Sequence, residues 1–409
     1  MCWVSHGATE TDDTVNESSR VLGLSAAQIA SAGAQWTVRE IAQQPRLWPQ
    51  IARQIGGDDG LRAHLAPLLG EPGLRIVLTG AGTSAYVGKC LAPALGRAGR
   101  LAEAIPTTDI VASPQSTLAP NASTLMVHFA RSGNSPESVA ALKLAEQRVG
   151  RCHHLIVTCN ADGELSRCAS GLRHAYSIVL PEACNDQSFA MTSSFTGMLL
   201  AAALALGVLP PQAARVEGLA SLGAEIVTDH VALAASLVRA EFDRAVFVGS
   251  NELKGLALEA ALKMLELTDG RVVSIGESPL GFRHGPKTIV NGSTLVVVFL
   301  SNDPYTRQYD LDLLRELRGD AVAGRVLALS ARPDGRQSGD GPDTIAIGGG
   351  APGAGAFSDL ELCLPYAAFA QTLALLRSLS LGLTPDSPNA AGTVNRVVQG
   401  VSIHPFPAA

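Results

Sequence analysis

Three stretches of this sequence carry residue types that could hold a small anion. The first, Gly80-Ala81-Gly82-Thr83-Ser84-Ala85, follows the β-branched run at 74–79 and opens an Ala/Leu-rich stretch. A strand that passes through a Gly-rich turn into a helix offers an anion free N–H groups and the positive end of the helix dipole. The permissive dinucleotide pattern G-x-G-x-x-A is also met, with Glu103 downstream as a ribose partner. The hydroxyls of Thr83 and Ser84 favour direct contact with a phosphate instead. The second stretch, Arg131-Ser132-Gly133-Asn134-Ser135-Pro136-Glu137-Ser138, supplies one cation, three hydroxyls and a Gly that lets the backbone come close. Pro136 suits a first helical turn, and Ser132 or Ser135 could cap that helix without excluding phosphate binding. Both loops would lie at the carboxyl ends of strands in a doubly wound sheet, where ligands bind. Together Gly82, Thr83, Ser84, Arg131, Ser132, Gly133, Asn134 and Ser135 read as a monophosphate cradle. A third cluster, Asn185-Asp186-Gln187-Ser188 with Thr192-Ser193-Ser194, either caps the apolar helix after it or lines the same pocket through Gln187 and Thr192.

Proton-transfer chemistry falls in the second half. Glu259, Lys263 and Glu266 stand at i, i+4 and i+7, one face of a helix. Leu256, Leu258, Leu262, Met264, Leu265 and Leu267 make that helix apolar over much of its circumference, so its charges are expected to be partly enclosed. The basic loop Gly281-Phe282-Arg283-His284-Gly285-Pro286-Lys287 holds a histidine that can relay protons near neutral pH, although a single loop histidine is often a bystander. Cys152-His153-His154, with Cys159 and Cys168, offers metal-ligand types without a recognised zinc spacing and reads as structural. No metal or other cofactor is expected.

These residues need an α/β framework. Candidate strands are 74–79, 124–130, 155–158, 175–180, 245–248, 272–275, 294–300, 326–329 and 344–347, alternating with helical stretches, a pattern of doubly wound parallel sheets. The segments LRIVLTG, STLMVHF and LIVTC in the first half resemble RAVFVGS, STLVVVF and VLALS in the second, at a near-constant offset of about 170 residues. Two copies of one α/β unit are therefore expected. The second copy lacks the Ser/Gly loop, having Ser301-Asn302-Asp303-Pro304 in its place. Expected boundaries are a frayed tail at 1–20, a helical segment at 21–72, domains at 73–215 and 216–385, and a tail at 386–409. In the helical segment, Ser25 and Thr37 are plausible N-caps and Pro45 closes one helix. The Gly/Pro/Asp-rich stretch 331–356 reads as an irregular loop around one short strand.

Composition narrows the function. The 409 residues carry a net charge of −6 with no Lys/Arg block, which argues against a nucleic-acid partner. The apolar stretches 198–210 and 360–383 are respectively too short and too interrupted (Glu361, Pro365, Gln371, Arg377) to span a membrane, so both read as buried helices. Seven cysteines without regular spacing, and no signal-peptide pattern at the start, point to a reducing cytoplasm.

GAGTS, RSGNS, EAALKMLE and RHGPK together resemble the motifs of the sugar isomerase (SIS) domain family in its tandem two-copy arrangement, over nearly the whole chain from about residue 35 onward. TVREIAQQP (37–45) resembles the segment preceding the first domain in the isomerase half of glucosamine-6-phosphate synthase. That resemblance implies that Thr83, Ser84, Ser132 and Ser135 hold a sugar phosphate. Glu266 would shuttle a proton between C1 and C2 with Lys263 beside it, and His284 would assist ring opening, often from a neighbouring subunit. It also implies a homodimer or higher homo-oligomer. Arg131 stands where the synthase usually has Gln, and the tail 386–396 lacks the synthase's catalytic Lys. YTRQYDLDLLRELR (305–318) and VNRVVQGVSIHPF (394–406) resemble instead the galactosamine-6-phosphate deaminase/isomerase branch, also described as tagatose-6-phosphate ketose/aldose isomerase. The implied reaction converts galactosamine-6-phosphate to tagatose-6-phosphate and ammonia. The alternatives are a plain sugar-phosphate isomerase, a non-catalytic sugar-phosphate sensor and, from the dinucleotide pattern, a dehydrogenase.

Overall fold

The computed structural model describes residues 20–332, 344–348, 356–398 and 400–407. Helices α1 (Ala26–Ser31), α2 (Gln35–Ala42), α3 (Gln44–Gly56) and α4 (Asp59–Leu69) precede the first sheet. The chain continues through β1 (Arg75–Thr79), α5 (Thr83–Arg97), β2 (Leu101–Ala104), α6 (Thr107–Ala112) and α7 (Pro114–Thr117). Next come β3 (Thr124–Ala130), α8 (Pro136–Arg148), β4 (Cys152–Thr158), α9 (Glu164–Ser170) and β5 (Ala175–Val179). Helices α10 (Ser193–Ala205), α11 (Ala213–Thr228) and α12 (Val231–Val238) lead to the second sheet. That sheet uses β6 (Arg244–Val248), α13 (Glu252–Leu267), β7 (Val273–Glu277), α14 (Pro279–Arg283) and β8 (Thr294–Phe299). It is completed by α15 (Pro304–Asp320), β9 (Arg325–Ser330), β10 (Thr344–Ala346) and α16 (Asp359–Ser380).

All pairings in both sheets are parallel, in the orders β2-β1-β3-β4-β5 and β10-β9-β8-β6-β7. Matching β6–β10 to β1–β5 in sequence order makes the two orders identical. Each sheet then reverses direction beside its first strand, and a crevice opens at the carboxyl ends there. The central strands β3 and β8 are buried throughout, as their mainly apolar runs require, with His128 the one ionisable residue among them. A single apolar cluster runs from the inner faces of β1, β3 and β4, through α5, α10, α13 and α16, to the inner faces of β6, β8 and β9. Helix α16 is long and apolar enough to cross a membrane, but 89% of that window is buried inside the protein, as expected of a core helix.

The crossing of α5 and α13 joins the two halves. A Cβ at Gly255 would stand 2.6 Å from the Cys90 backbone nitrogen, so only Gly allows this approach. It brings one face of α13, attached to the second sheet, against the start of α5, attached to the first.

Three expectations need correction. β2 is an unanticipated strand: LAEA has no β-branched residue and gains its form by pairing with β1 at the sheet edge. Thr37 caps nothing; it lies inside α2, and its N–H and hydroxyl both donate to Asp386 of the C-terminal tail, at 2.8 and 2.7 Å. Pro45 opens α3 instead of closing a helix, because its missing N–H costs nothing in a first turn. Ser25 does cap α1, in a reciprocal box with Gln28. The tail expected at 1–20 lies almost wholly outside the described residues.

Candidate functional site

The turn after β1 forces Gly82 into the left-handed region at φ +55°, and α5 begins immediately after with no side chain capping it. The turn after β3 does the same with Gly133 at φ +68°, before α8, which is also uncapped by any side chain. Two open helix N-termini therefore aim at one point. Between them lies a cavity of about 220 Å³, lined by Gly82, Thr83, Ser84, Arg131, Ser132, Gly133, Ser135 and, from α13, Glu266. Hydroxyls and the positive ends of two helix dipoles bordering a crevice at a switch point suit an anion. The Ser132 hydroxyl accepts the Asn134 N–H at 3.2 Å, and the Ser135 hydroxyl donates to Glu137 at 2.6 Å. Asn134 itself points away, accepting the Glu164 N–H at 3.0 Å.

Arg131 gives the cavity its positive charge. It is buried, and its guanidinium donates to the carbonyls of Ser188, Phe189 and Arg396 at 3.1, 3.2 and 2.6 Å. Burial, and the nearby Arg396, pull its pKa below the usual arginine value, though guanidinium remains protonated. The segment presenting Ser188 is held by Glu40 of α2, which accepts the N–H groups of Gln187 and Ser188 and the Ser188 hydroxyl. Burial, helped by Asp186, pushes Glu40 up to about 7. Asp186 takes the N–H groups of Thr192, Ser193 and Ser194 and so caps α10. The tail closes the opposite wall with residues 394–398, while Arg396 donates through Nε to the Asp186 carbonyl at 3.0 Å.

The carboxylates come from α13. Lys263 is fully buried, with its ammonium ion-paired to Glu266 and 3.6 Å from Glu259 Oε1. Thr83 Oγ1 donates to Glu259 at 3.2 Å, linking the loop after β1 to the charged face. Burial pushes Glu259 up to about 8, with Lys263 opposing and Glu266 adding to the rise. Burial works against the Lys263 charge, but the two carboxyls outweigh it and raise its pKa. At neutral pH the cluster thus holds an ammonium on Lys263 beside a neutral Glu259. Glu266 keeps 23% of its side chain exposed, to the cavity, and is placed to exchange a proton with whatever occupies it.

The structure gathers Gly82, Thr83, Ser84, Arg131, Ser132, Gly133, Ser135 and Glu266 around one cavity, with Lys263 directly behind. It does not bring Gln187, Thr192, Asn134 or His284 to that cavity. Gln187 is exposed and donates to the Asn185 carbonyl, Thr192 is bound to Asp186, and His284 is exposed after α14. Residue-type reasoning placed Glu259 on the right face but gave it no part in the site. No local pattern marked Glu40 as a support or Arg396 as part of the wall, whereas Asp186 bears out the capping alternative for the third polar cluster. Glu103 pairs with Arg75 at 3.1 Å across β1 and β2, which removes the ribose partner a dinucleotide would need. The corresponding crevice of the second sheet, about 440 Å³, is lined by Asn302, Asp303 and Asp359 beside Arg97, a set that repels a phosphate.

Residues 69–207 match the family model of the SIS domain. The chain belongs to the SIS-domain family, whose fold both sheets display. It is similar to D-galactosamine-6-phosphate deaminase AgaS of Shewanella sp. strain ANA-3, 44% identical over 96% of this chain and 97% of that protein. The protein of that name from Escherichia coli is 45% identical, over 93% of this chain and 98% of its own length. Among solved structures, tagatose-6-phosphate ketose/aldose isomerase from Escherichia coli superposes with a TM-score of 0.83 at 42% identity, covering 92% of this chain and 99% of that one.

Proposed function

We propose that this chain is an amino-sugar-phosphate isomerase that releases ammonia, converting galactosamine-6-phosphate to tagatose-6-phosphate. One observation carries the reading: Glu266, held by Lys263, lines the same cavity as the Thr83 and Ser132 loops. The relatives named above as deaminases of this substrate support it. The phosphate sits between the N-termini of α5 and α8, bound by Thr83, Ser84, Ser132 and Ser135 and by the Arg131 charge. This remote grip positions C1 and C2 at the Glu266 carboxylate. Glu266 takes the C2 proton of the open-chain aldose while O1 gains a proton, giving the enolamine. The proton returns to C1 and leaves an imine at C2. Water adds to that carbon, the C–N bond breaks, and the ketose phosphate and ammonia depart. Lys263 fixes the carboxylate, and neutral Glu259 ties Thr83 to the same helix.

His284 lies outside the cavity of its own subunit, and its ring-opening role is assigned to a neighbouring copy in a homodimer or higher oligomer. Domains at 73–215 and 216–385, and a cytoplasmic location, complete the proposal. The test is ammonia release and ketose formation measured together on galactosamine-6-phosphate and glucosamine-6-phosphate. Equal amounts of both products from the galacto substrate are expected. Ketose without ammonia, from an aldose phosphate lacking the amine, would make this a plain isomerase, a reading favoured by the name of the Escherichia coli structure. Binding with no product would make it a sensor.

A further inference from the structure

The outer face of the first sheet holds a cluster of metal-ligand side chains that the proposed reaction does not use. Cys152 opens β4 and His154 follows two residues on, so strand alternation places both on that face. Glu146 reaches them from α8. One ligand atom from each of Glu146, Cys152 and His154 lies within 4.8 Å of the other two. On a tetrahedral zinc ion, with metal–ligand distances of about 2.0–2.3 Å, neighbouring ligand atoms stand roughly 3.5 Å apart. Closing this trio on an ion therefore needs side-chain shifts of only about 1 Å. Cys152 and His154 are buried, while Glu146 keeps 27% of its side chain exposed and leaves a path to solvent.

The surroundings are those of a supported site. His154 Nδ1 shares a hydrogen bond of 3.0 Å with His128 Nε2, which fixes its ring. His174 Nε2 lies 2.9 and 3.0 Å from the two Glu146 oxygens. Such outer partners orient ligands in metal sites. A plain hydrogen-bond network accounts for His154 and His174 on Glu146 but gives the Cys152 thiol no part.

We infer that Glu146, Cys152 and His154 bind one zinc-type divalent cation, with water in the fourth position. The thiol releases its proton, and the thiolate and the Glu146 carboxylate match the ion's two positive charges. His154 enters as a neutral ring through Nε2, in place of its present bond to Glu146. The thiolate selects zinc over magnesium or calcium. Cys152 and His154 stand at the amino end of β4, whereas the cavity lies past the carboxyl ends of its neighbours. Seven residues of strand, roughly 20 Å at about 3.3 Å each, separate the two ends. An ion here clamps α8 to β4 and does not touch the substrate. Sequence spacing hid the trio because its third ligand comes from the preceding helix.

The test uses the full chain, stripped of metal with a chelator, incubated with zinc chloride, desalted and assayed for metal. A parallel sample takes cobalt(II), whose thiolate charge-transfer band in the near ultraviolet reports a cysteine ligand. Retention of about one zinc per chain and a cobalt band are expected. Cys152→Ser loses both, whereas Cys168→Ser keeps both. Circular dichroism shows whether Cys152→Ser is folded; if it is not, Glu146→Gln decides, with zinc retention lowered at least about tenfold. Wild-type protein that retains no zinc, or a folded Cys152→Ser or Glu146→Gln that retains as much as wild type, overturns the site.

Discussion

In the proposed mechanism turnover rests on Glu266. Glu266→Gln keeps the size of the side chain and a bond to Lys263 but cannot accept the C2 proton. Its kcat is expected to fall by roughly 10²–10⁴-fold, while the affinity for substrate, measured calorimetrically, is retained; undiminished kcat would remove Glu266 as the base. Glu259 makes a different prediction. Folded, it holds its proton up to about 8, against 4.5 as an ordinary carboxyl. The folded chain thus binds more protons than the unfolded chain between those values, so this group's contribution to stability is lost as pH rises through that window. Glu40, pushed up to about 7, acts in the same direction. The urea midpoint should fall between about pH 5 and about pH 8.5, and Glu259→Gln should flatten that fall. An unchanged slope in the variant would mean the buried carboxyl is ionised throughout.

At the scale of elements, the crossing of α5 and α13 makes Gly255 indispensable. Gly255→Ala puts a methyl carbon into the Cys90 backbone, an overpacking that costs about 1–3 kcal/mol. Denaturant unfolding should show the loss, and turnover should drop as well, because α13 carries Glu266. The tail is pinned in a similar way. Asp386 accepts the Trp36 and Thr37 N–H groups at 3.0 and 2.8 Å, supplying the cap that α2 lacks. Asp386→Ala should cost about 0.5–2 kcal/mol and raise KM by loosening the wall at 394–398; an unchanged KM would detach that wall from substrate binding. Elements were legible wherever β-branched runs or apolar periodicity were strong, as in β3, β8 and α16. They were illegible where partners alone decide, as in β2, which exists because β1 offers it an edge, and at the start of α2, a helix expected there but capped from 349 residues away. The two loops that line the cavity were legible because Gly, Ser and Thr after a strand have few other uses. Glu40 and Arg396 were not, since each acts through a backbone carbonyl or N–H group of a distant segment, which leaves no local pattern.

At the scale of the whole molecule, the role proposed for His284 bears on how many chains make a site. His284 is exposed outside the cavity, so the ring-opening role proposed for it requires a second copy. Glu266→Gln and His284→Ala should each be inactive alone, and mixing them under conditions of subunit exchange should restore turnover. A monomer by sedimentation at working concentration, with full activity, would place every necessary group within one chain.

The carboxylate and the anion grip enter their shared cavity from different sheets, joined where α13 crosses α5. A coding sequence severed between them would yield two polypeptides, each with a greasy helix flank laid bare and neither able to complete a reaction. Exchange of one half among relatives would therefore have to preserve the matching apolar faces and the glycine at their seam.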